Sequence, residues 1–212
     1  MKNRNIDFHT KLKAGEMLSM AAIILLALIL GMILNSQIFA IAGVREISME
    51  DTMFEGERLF INKLSYCTRE PERGDVVVFL KNQEIGGFFD RCRISLEDIK
   101  RGFTQDVRKN RLVKRVIGLP GETIQFRNGS VFIDGVELEE PYVKNLTYPN
   151  SIDGAYQIPE DQYFMMGDNR IWSSDSRDFG SVPITSIEGK ASSIVWPPSK
   201  WVSLGAEYSD SN

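Results

Sequence analysis

The sequence predicts a mainly β fold: an antiparallel β domain with a smaller second lobe, carried behind one N-terminal transmembrane helix. Three observations support this. Residues Met17 to Val44 form a run of 28 without a charge. After Val44, short runs rich in β-branched and aromatic residues alternate with Gly, Pro, Asn and Asp turn signals. The composition of the 212 residues, 42% apolar and 25% charged with 17 Gly and 8 Pro, supplies a core and excludes a disordered, collagen-like or low-complexity chain.

The transmembrane helix is set at 17–38. Met17 to Leu34 is apolar except for Ser19, and about 20 such residues at about 1.5 Å each cross a hydrocarbon layer of about 30 Å. Residues 1–16 hold Lys2, Arg4, Lys11 and Lys13 against Asp7 and Glu16, a local balance of +2 in a chain of net charge −4. Cationic flanks stay in the cytoplasm, so the expected topology is single-pass in the cell membrane, with the N-terminus inside and the folded domain outside. A cleaved signal peptide has a shorter apolar region of about 7–15 residues. Ala40-Ile41-Ala42, a small-x-small sequence beyond the run, keeps cleavage there as a second reading.

The folded domain is set at 44–200. Strands are expected at Leu59–Asn62, Asp75–Leu80, Arg111–Gly118, Thr123–Phe126, Val131–Ile133, Gln162–Met166 and Ala191–Trp196. Asn128-Gly129 and Asp134-Gly135 read as successive tight hairpin turns. Lys81 to Asn110 lacks alternation and reads as an insertion or flexible excursion, with a helical turn or two at Ser95–Arg101. Residues 81–109 and 127–157 together are assigned to the more variable lobe. Residues 201–212 form a polar tail, frayed from Glu207. Trp196 and Trp201 suit a membrane interface, although ordinary packing is the preferred reading. Cys67 and Cys92 lie where a disulfide is permitted, and their pairing stays open.

The net charge gives no reason to expect a nucleic-acid partner. Two Cys and one His exclude most zinc sites, and no metal or cofactor is expected. The single His, His9, lies before the membrane segment, so the exported domain lacks a Ser-His or Cys-His pair. A hydrolase there needs another base, and a lysine serves if burial lowers its pKa. In Arg111 to Ile117 a period of two puts Leu112, Lys114 and Val116 on one strand face and turns Arg115 away toward a carboxylate partner. An exposed edge-strand lysine is the plainer reading of the same pattern. Ser48 follows the membrane segment closely, a position suited to a membrane-bound substrate.

Taken together these residues resemble the bacterial type I signal peptidases. Ser48-Met49 with Thr52 and Glu55-Gly56-Glu57 is similar to the family's nucleophile box, and Arg73 to Phe79 to the strand after it. Lys114 to Glu122 resembles the general-base box. Gly167-Asp168-Asn169-Arg170 with Ser173, Asp175-Ser176-Arg177 and Gly180 resembles the C-terminal box. The resemblance implies Ser48 as nucleophile, Lys114 as general base and the Ser48 N–H as part of an oxyanion hole. It implies Ser173 as a hydrogen-bond partner orienting Lys114, and Asp175 with Arg177 and Asp168 with Arg115 as supporting ion pairs. Met49 and Met165 pack around the nucleophile, and Leu112 and Val113 are candidates for the substrate pockets. The expected activity is removal of signal peptides from exported or membrane preproteins, with the lipid bilayer as the other partner.

Three positions depart from the family pattern. Asp51 stands where proline is usual, Glu46 stands where Gly or Ser is common, and Ile171-Trp172 fills two places that are often polar. Glu46 bears most on chemistry, since an anion near an oxyanion hole opposes the charge that develops there. These departures favour a second reading: a dedicated or non-catalytic signal-peptidase-like factor for pilus assembly. A self-cleaving Ser–Lys regulator is disfavoured by the membrane span.

Overall fold

The computed structural model describes residues 3–104, 106 and 108–204. Helix α1 (Asn3–Gln37) contains the expected apolar segment, and its stretch Glu16–Gln37 is 22 residues long and apolar enough to cross a membrane. At 1.5 Å per residue that stretch is about 33 Å long, close to the hydrocarbon thickness. Only Ile38 separates the helix from strand β1 (Phe39–Gly43), which pairs antiparallel with β2 (Arg58–Asn62). Lys63, just after β2, donates from Nζ to the carbonyls of Asn35 and Ser36, where the last helical turn lacks backbone partners. The same ammonium pairs with Glu188 at 3.0 Å.

Strand β3 (Val76–Leu80) is buried along its whole length and pairs antiparallel with β4 (Arg111–Gly118). Between them in sequence lies helix α2 (Phe88–Thr104). There follow β5 (Thr123–Arg127), β6 (Ser130–Ile133), β7 (Val136–Glu137) and β8 (Tyr156–Gln157), then β9 (Gln162–Met166) and the short helix α3 (Ser176–Phe179). The chain continues as β10 (Val182–Pro183), β11 (Ile187–Trp196) and β12 (Val202–Ser203). The larger sheet runs β1-β2-β11-β3-β4-β9-β10, with β12 paired to β11, and the smaller runs β7-β6-β5-β8. All these pairings are antiparallel, as the mainly β class requires. Six of the seven expected runs fall wholly within strands, and the seventh, Asp75–Leu80, does so from Val76 onward.

The hairpin turns form as their residues demand. Asn128 and Gly129 have φ of 53° and 85°, and Asp134 and Gly135 have 50° and 83°. Positive φ at both central positions matches the right-handed twist of the strands they join. Four apolar clusters fill the interior, the smallest being Leu80, Ile85 and Ile94, where α2 meets β3. Val76 and Val78 pack with Met49, Met53, Leu59 and Ile61, while Val77 and Phe79 pack with Leu112, Val116, Tyr163 and Met165. Because β3 is covered on both faces, its sequence is an unbroken apolar run rather than an alternating one. A third cluster, with Ile117, Ile124, Val131, Phe164 and Met166, joins the two sheets.

Several expectations are corrected. The stretch read as a flexible excursion holds the 17-residue helix α2, which packs on α1 and takes no place in either sheet. The pairing left open for Cys67 and Cys92 is answered rather than corrected: both are free thiols, and Cys92 sits on α2 with its Sγ 3.6 Å from Ser36 Oγ. Trp196 and Trp201 are 51% and 73% exposed rather than packed. The polar tail begins later than position 201, because Val202–Ser203 pairs with β11 and Leu204 is buried. Glu207 to Asn212 lies outside the described residues, as do residues 1 and 2 of the expected cytoplasmic flank.

Candidate active site

Two main-chain features bring Ser48 and Lys114 together. After β1 the chain turns through a 3-10 helix at Ile47–Met49, held by hydrogen bonds from Thr52 N and Met53 N to Met49 O. Met49 is buried in the first core cluster, which fixes the turn and leaves Ser48 at its apex. Lys114 stands in the middle of β4, between strands β3 and β9, and is 0% exposed. Its Nζ lies 2.5 Å from Ser48 Oγ. Burial penalises the ammonium form and holds the Lys114 pKa below the ordinary lysine value. The charges of Asp175, Glu46 and Asp168 pull against that shift without reversing it.

The two carboxylate–arginine pairs form beside this contact. Asp175 caps α3, accepting from Arg177 N, and its two oxygens take Nε and a terminal nitrogen of Arg177 at 2.9 Å each. Burial works against the charged carboxylate, but the Arg177 hydrogen bonds and charge hold the Asp175 pKa below its ordinary value. Asp168 accepts two hydrogen bonds from Arg115, at 2.9 and 2.6 Å, and a third from Thr52 Oγ1. Arg115 also donates to Gly74 O and covers the Tyr142 ring, 4.0 Å from its centroid. Thr52 and Asp168 thereby clamp the turn bearing Ser48 to β4.

Ser173 is buried, and its Oγ meets no hydrogen-bond geometry with any described residue, Lys114 included, although it lies close enough to Asp175 to help hold that carboxylate's pKa down. The contact to Lys114 expected of it is therefore not formed. Gly167 shows how tightly this corner is packed: a Cβ there would sit 2.3 Å from both Ser173 Oγ and the Ser48 carbonyl oxygen. Any side chain would displace one of them. Asn169 N donates to the same Ser48 carbonyl, and Asn169 Nδ2 donates to Ile47 O, locking the turn to the loop after β9.

A cavity of about 650 Å³ opens beside Ser48. One wall is the outer edge of β1 and the chain after it, Ile41 to Glu46, and the other is the C-terminal part of α2 with Arg108 and Arg111. Val113 lines it, whereas Leu112 belongs to the core cluster around Phe79 and Val116. Alternation along β4 separates the two neighbours in this way. Among the described residues no group of His, Cys, Asp and Glu is arranged to hold a metal ion. The site is a hydroxyl beside a buried amine at the end of a groove, with ion pairs behind it.

Residues 17–196 match the family described as signal peptidase, peptidase S26. The chain belongs to this family. It is 31% identical over 205 residues to signal peptidase I T of Bacillus subtilis (strain 168), covering 92% of this chain and 94% of that one. Identity to signal peptidase I P of Bacillus subtilis subsp. natto is 35% over 176 residues, covering 79% and 82%. A solved structure of a signal peptidase I from Enterococcus faecalis V583 aligns with a TM-score of 0.39 at 29% identity, covering 57% of this chain and 97% of that chain.

Within this family frame, the departures at the site acquire structural content. Asp51 has φ of 82°, a conformation closed to the proline usual there and tolerated by a short polar side chain. Its carboxylate meets Lys144 at 2.8 Å on the surface. Glu46 lines the cavity and is close enough to Ser48 and Lys114 to act on the Lys114 charge. Ile171 and Trp172 are both exposed. One residue of structural weight escaped the sequence reading. Arg170, fully buried, donates to both Glu140 oxygens, to Thr147 Oγ1 and to the Gly167 carbonyl, so it ties the segment after β7 to the loop that backs Ser48. Its only sequence signal was membership of the C-terminal box.

Proposed function

We propose that this chain is a membrane-anchored serine endopeptidase that removes signal peptides from exported preproteins with a Ser48–Lys114 dyad. The observation that carries the proposal is the 2.5 Å approach of a fully buried lysine amine to a serine hydroxyl at the end of an open groove. A lysine kept neutral by burial accepts the Ser48 Oγ proton as Oγ attacks the scissile carbonyl carbon. The resulting oxyanion faces the Ser48 N–H. On collapse, the carbon–nitrogen bond breaks and the Lys114 ammonium returns the proton to the leaving amine. Water, deprotonated by Lys114, then releases the acyl group from Ser48. Asp175–Arg177 and Asp168–Arg115 position the two reacting groups, and rotation of the Ser173 hydroxyl toward Lys114 would fix the amine. The preprotein binds extended along the outer edge of β1, adding backbone hydrogen bonds to an edge strand. Helix α1 spans the bilayer with its N-terminus in the cytoplasm and the groove outside.

The test is cleavage of a preprotein with an Ala-x-Ala junction by the detergent-solubilised full chain, beside Ser48→Ala, from about pH 6 to 10. Cleavage at the junction that rises with pH and is lost in Ser48→Ala supports the proposal. Cleavage that survives in Ser48→Ala removes the dyad.

Glu46 favours a second reading, a factor dedicated to pilus assembly that cleaves poorly or only one client. Its charge raises the Lys114 pKa and so opposes the neutral amine. Glu46→Gly is therefore expected to shift the acid limb of the kcat/KM pH profile to lower pH and to raise turnover near neutrality. An unchanged profile in Glu46→Gly would show that this carboxylate does not restrain the base.

A further inference from the structure

We propose that α2 is a second membrane contact, a helix lying in the plane of the bilayer with its outer face seated in lipid beside the exit point of α1. At about 100° per residue, Phe88, Phe89, Cys92, Leu96, Ile99 and Phe103 fall within one sector about 100° wide. Cys92 in the stripe touches the end of α1, but its large apolar members point away from the protein: Phe89 and Phe103 are 85% and 86% exposed, and Phe88, Leu96 and Ile99 are about half exposed. Five large apolar side chains gathered on one exposed helix face mark a contact surface rather than ordinary surface scatter.

The orientation of α2 is fixed by its inner face, so the stripe has no route into the core. Ile94 and Ser95 are buried, and Asp98 pairs with Arg108 at 2.8 Å and Arg111 at 2.5 Å. Arg111 in turn pairs with Glu188, which meets the Lys63 that caps α1. A continuous line of ion pairs therefore locks α2 against the sheet and against the end of α1.

The location decides the partner. Asn35 donates to Ser95 Oγ, Gln37 donates to Phe88 O, and Ser36 Oγ contacts Cys92 Sγ. These contacts span two residue steps on α1, about 3 Å, but seven steps on α2, about 10 Å. Helix α2 therefore crosses the end of α1 instead of running along it. Asn35, Ser36 and Gln37 are the polar residues that close the apolar run ending at Leu34, which is where hydrocarbon gives way to headgroups. The exposed stripe thus continues the lipid-facing surface of α1 at the depth where amphipathic helices settle. Arg93 and Lys100 border it, both exposed, in position for anionic headgroups. The occupant is the outer leaflet itself. Because Asp98, Arg101 and Gly102 also wall the cavity beside Ser48, seating α2 holds that groove at the membrane surface.

The inference rests on the membrane anchoring proposed for α1, and the experiment separates the two. The full chain carrying Cys67→Ser and Cys92→Ser receives single cysteines by Phe103→Cys, Phe89→Cys, Asp90→Cys or Leu26→Cys, each labelled with an environment-sensitive fluorophore. The proteins are reconstituted into phosphatidylethanolamine–phosphatidylglycerol vesicles with nitroxide lipids. Labels at 103 and 89 are expected to be quenched by the nitroxide lipid several-fold more than the label at 90 and to be shielded from aqueous iodide. Free access of iodide at 103 and 89 without lipid quenching overturns the proposal, and shielding from both quenchers does so too, since a protein then covers the face. Strong lipid quenching at 26 combined with either failure leaves the anchor standing while α2 docking falls. No lipid quenching at 26 overturns the anchor, and the labels at 103 and 89 still decide α2 separately.

Discussion

Lys114→Met is expected to abolish preprotein cleavage, by about 10⁴- to 10⁶-fold in kcat as for other residues of a nucleophile–base unit, while leaving a folded protein no less stable near neutral pH. The side chain is fully buried and, among the described residues, hydrogen-bonds to Ser48 alone. Its charge is one that burial disfavours, and methionine keeps the length and apolar stem without it. The folded pKa of Lys114 lies below its unfolded value near 10.4. Between the two values the unfolded chain binds more protons, so this group makes wild-type stability rise with pH and reach its full value above the unfolded pKa. Lys114→Met removes that rise. Thermal unfolding of both proteins in detergent from about pH 7 to 11 measures it. A variant much less stable than wild type at pH 7 but not at pH 11 would show that the ammonium ion is a structural element, and the general-base role would be lost with that result.

The largest expected effect on stability comes from Arg177→Ala. Arg177 supplies two hydrogen bonds to Asp175 and others to the carbonyls of Arg170 and Tyr148, with almost no exposure. Its removal leaves the Asp175 carboxylate buried without a counter-ion, supported by the backbone N–H groups of Gly167 and residue 177 and by the nearby Ser173 hydroxyl. Breaking such a buried pair costs about 3–5 kcal/mol, which lowers Tm by roughly 6–20 °C in a chain of this size. Asp175→Asn in the same background should recover part of the loss, since a neutral amide needs no counter-ion. The pH dependence has a definite sign. Asp175 is held below its ordinary pKa, so the pair's contribution is present above the unfolded value near 3.9 and fades as pH falls through the folded one. The gap in Tm between wild type and Arg177→Ala should therefore narrow in acid. A gap that stays constant to about pH 3 would exclude the ion pair as its source.

Much of this architecture is legible in local pattern. The central strands announce themselves because β-branched runs bounded by Asn-Gly, Asp-Gly and Pro-Gly turns have few other ways to satisfy their backbones. Strand β1 is hidden by its neighbour: Phe39–Gly43 is as apolar and uncharged as the helix before it, so nothing marks the change from one to the other. Helix α2 is hidden for the opposite reason. Its large apolar residues recur at helical spacing but face outward, while the buried face is built from Asp98 and Ile94, held by arginines from later in the chain, and Ser95, held by Asn35 of α1. At the site, the carboxylate–arginine pairs and the Ser48–Lys114 contact are foreshadowed by motif resemblance. The partnership of Arg170 with Glu140 and Thr147 is not, because its members lie 30 and 23 residues apart with no local signature. Nor does any sequence pattern reveal the φ of Asp51 or the direction of the Ser173 hydroxyl.

The join between α1 and β1 has one further consequence. A single residue, Ile38, links the helix to the strand whose outer edge lines the groove, and Lys63 bolts the helix end to the sheet. With α1 embedded as proposed, helix and groove tilt as one rigid lever. Membrane spans adjust their tilt to bilayer thickness, so the height of Ser48 above the lipid becomes a property of the membrane as well as of the protein. The site then acts as a gauge, selecting which bond of a membrane-held chain arrives at the hydroxyl by its distance from the bilayer, before any side-chain pocket has read it.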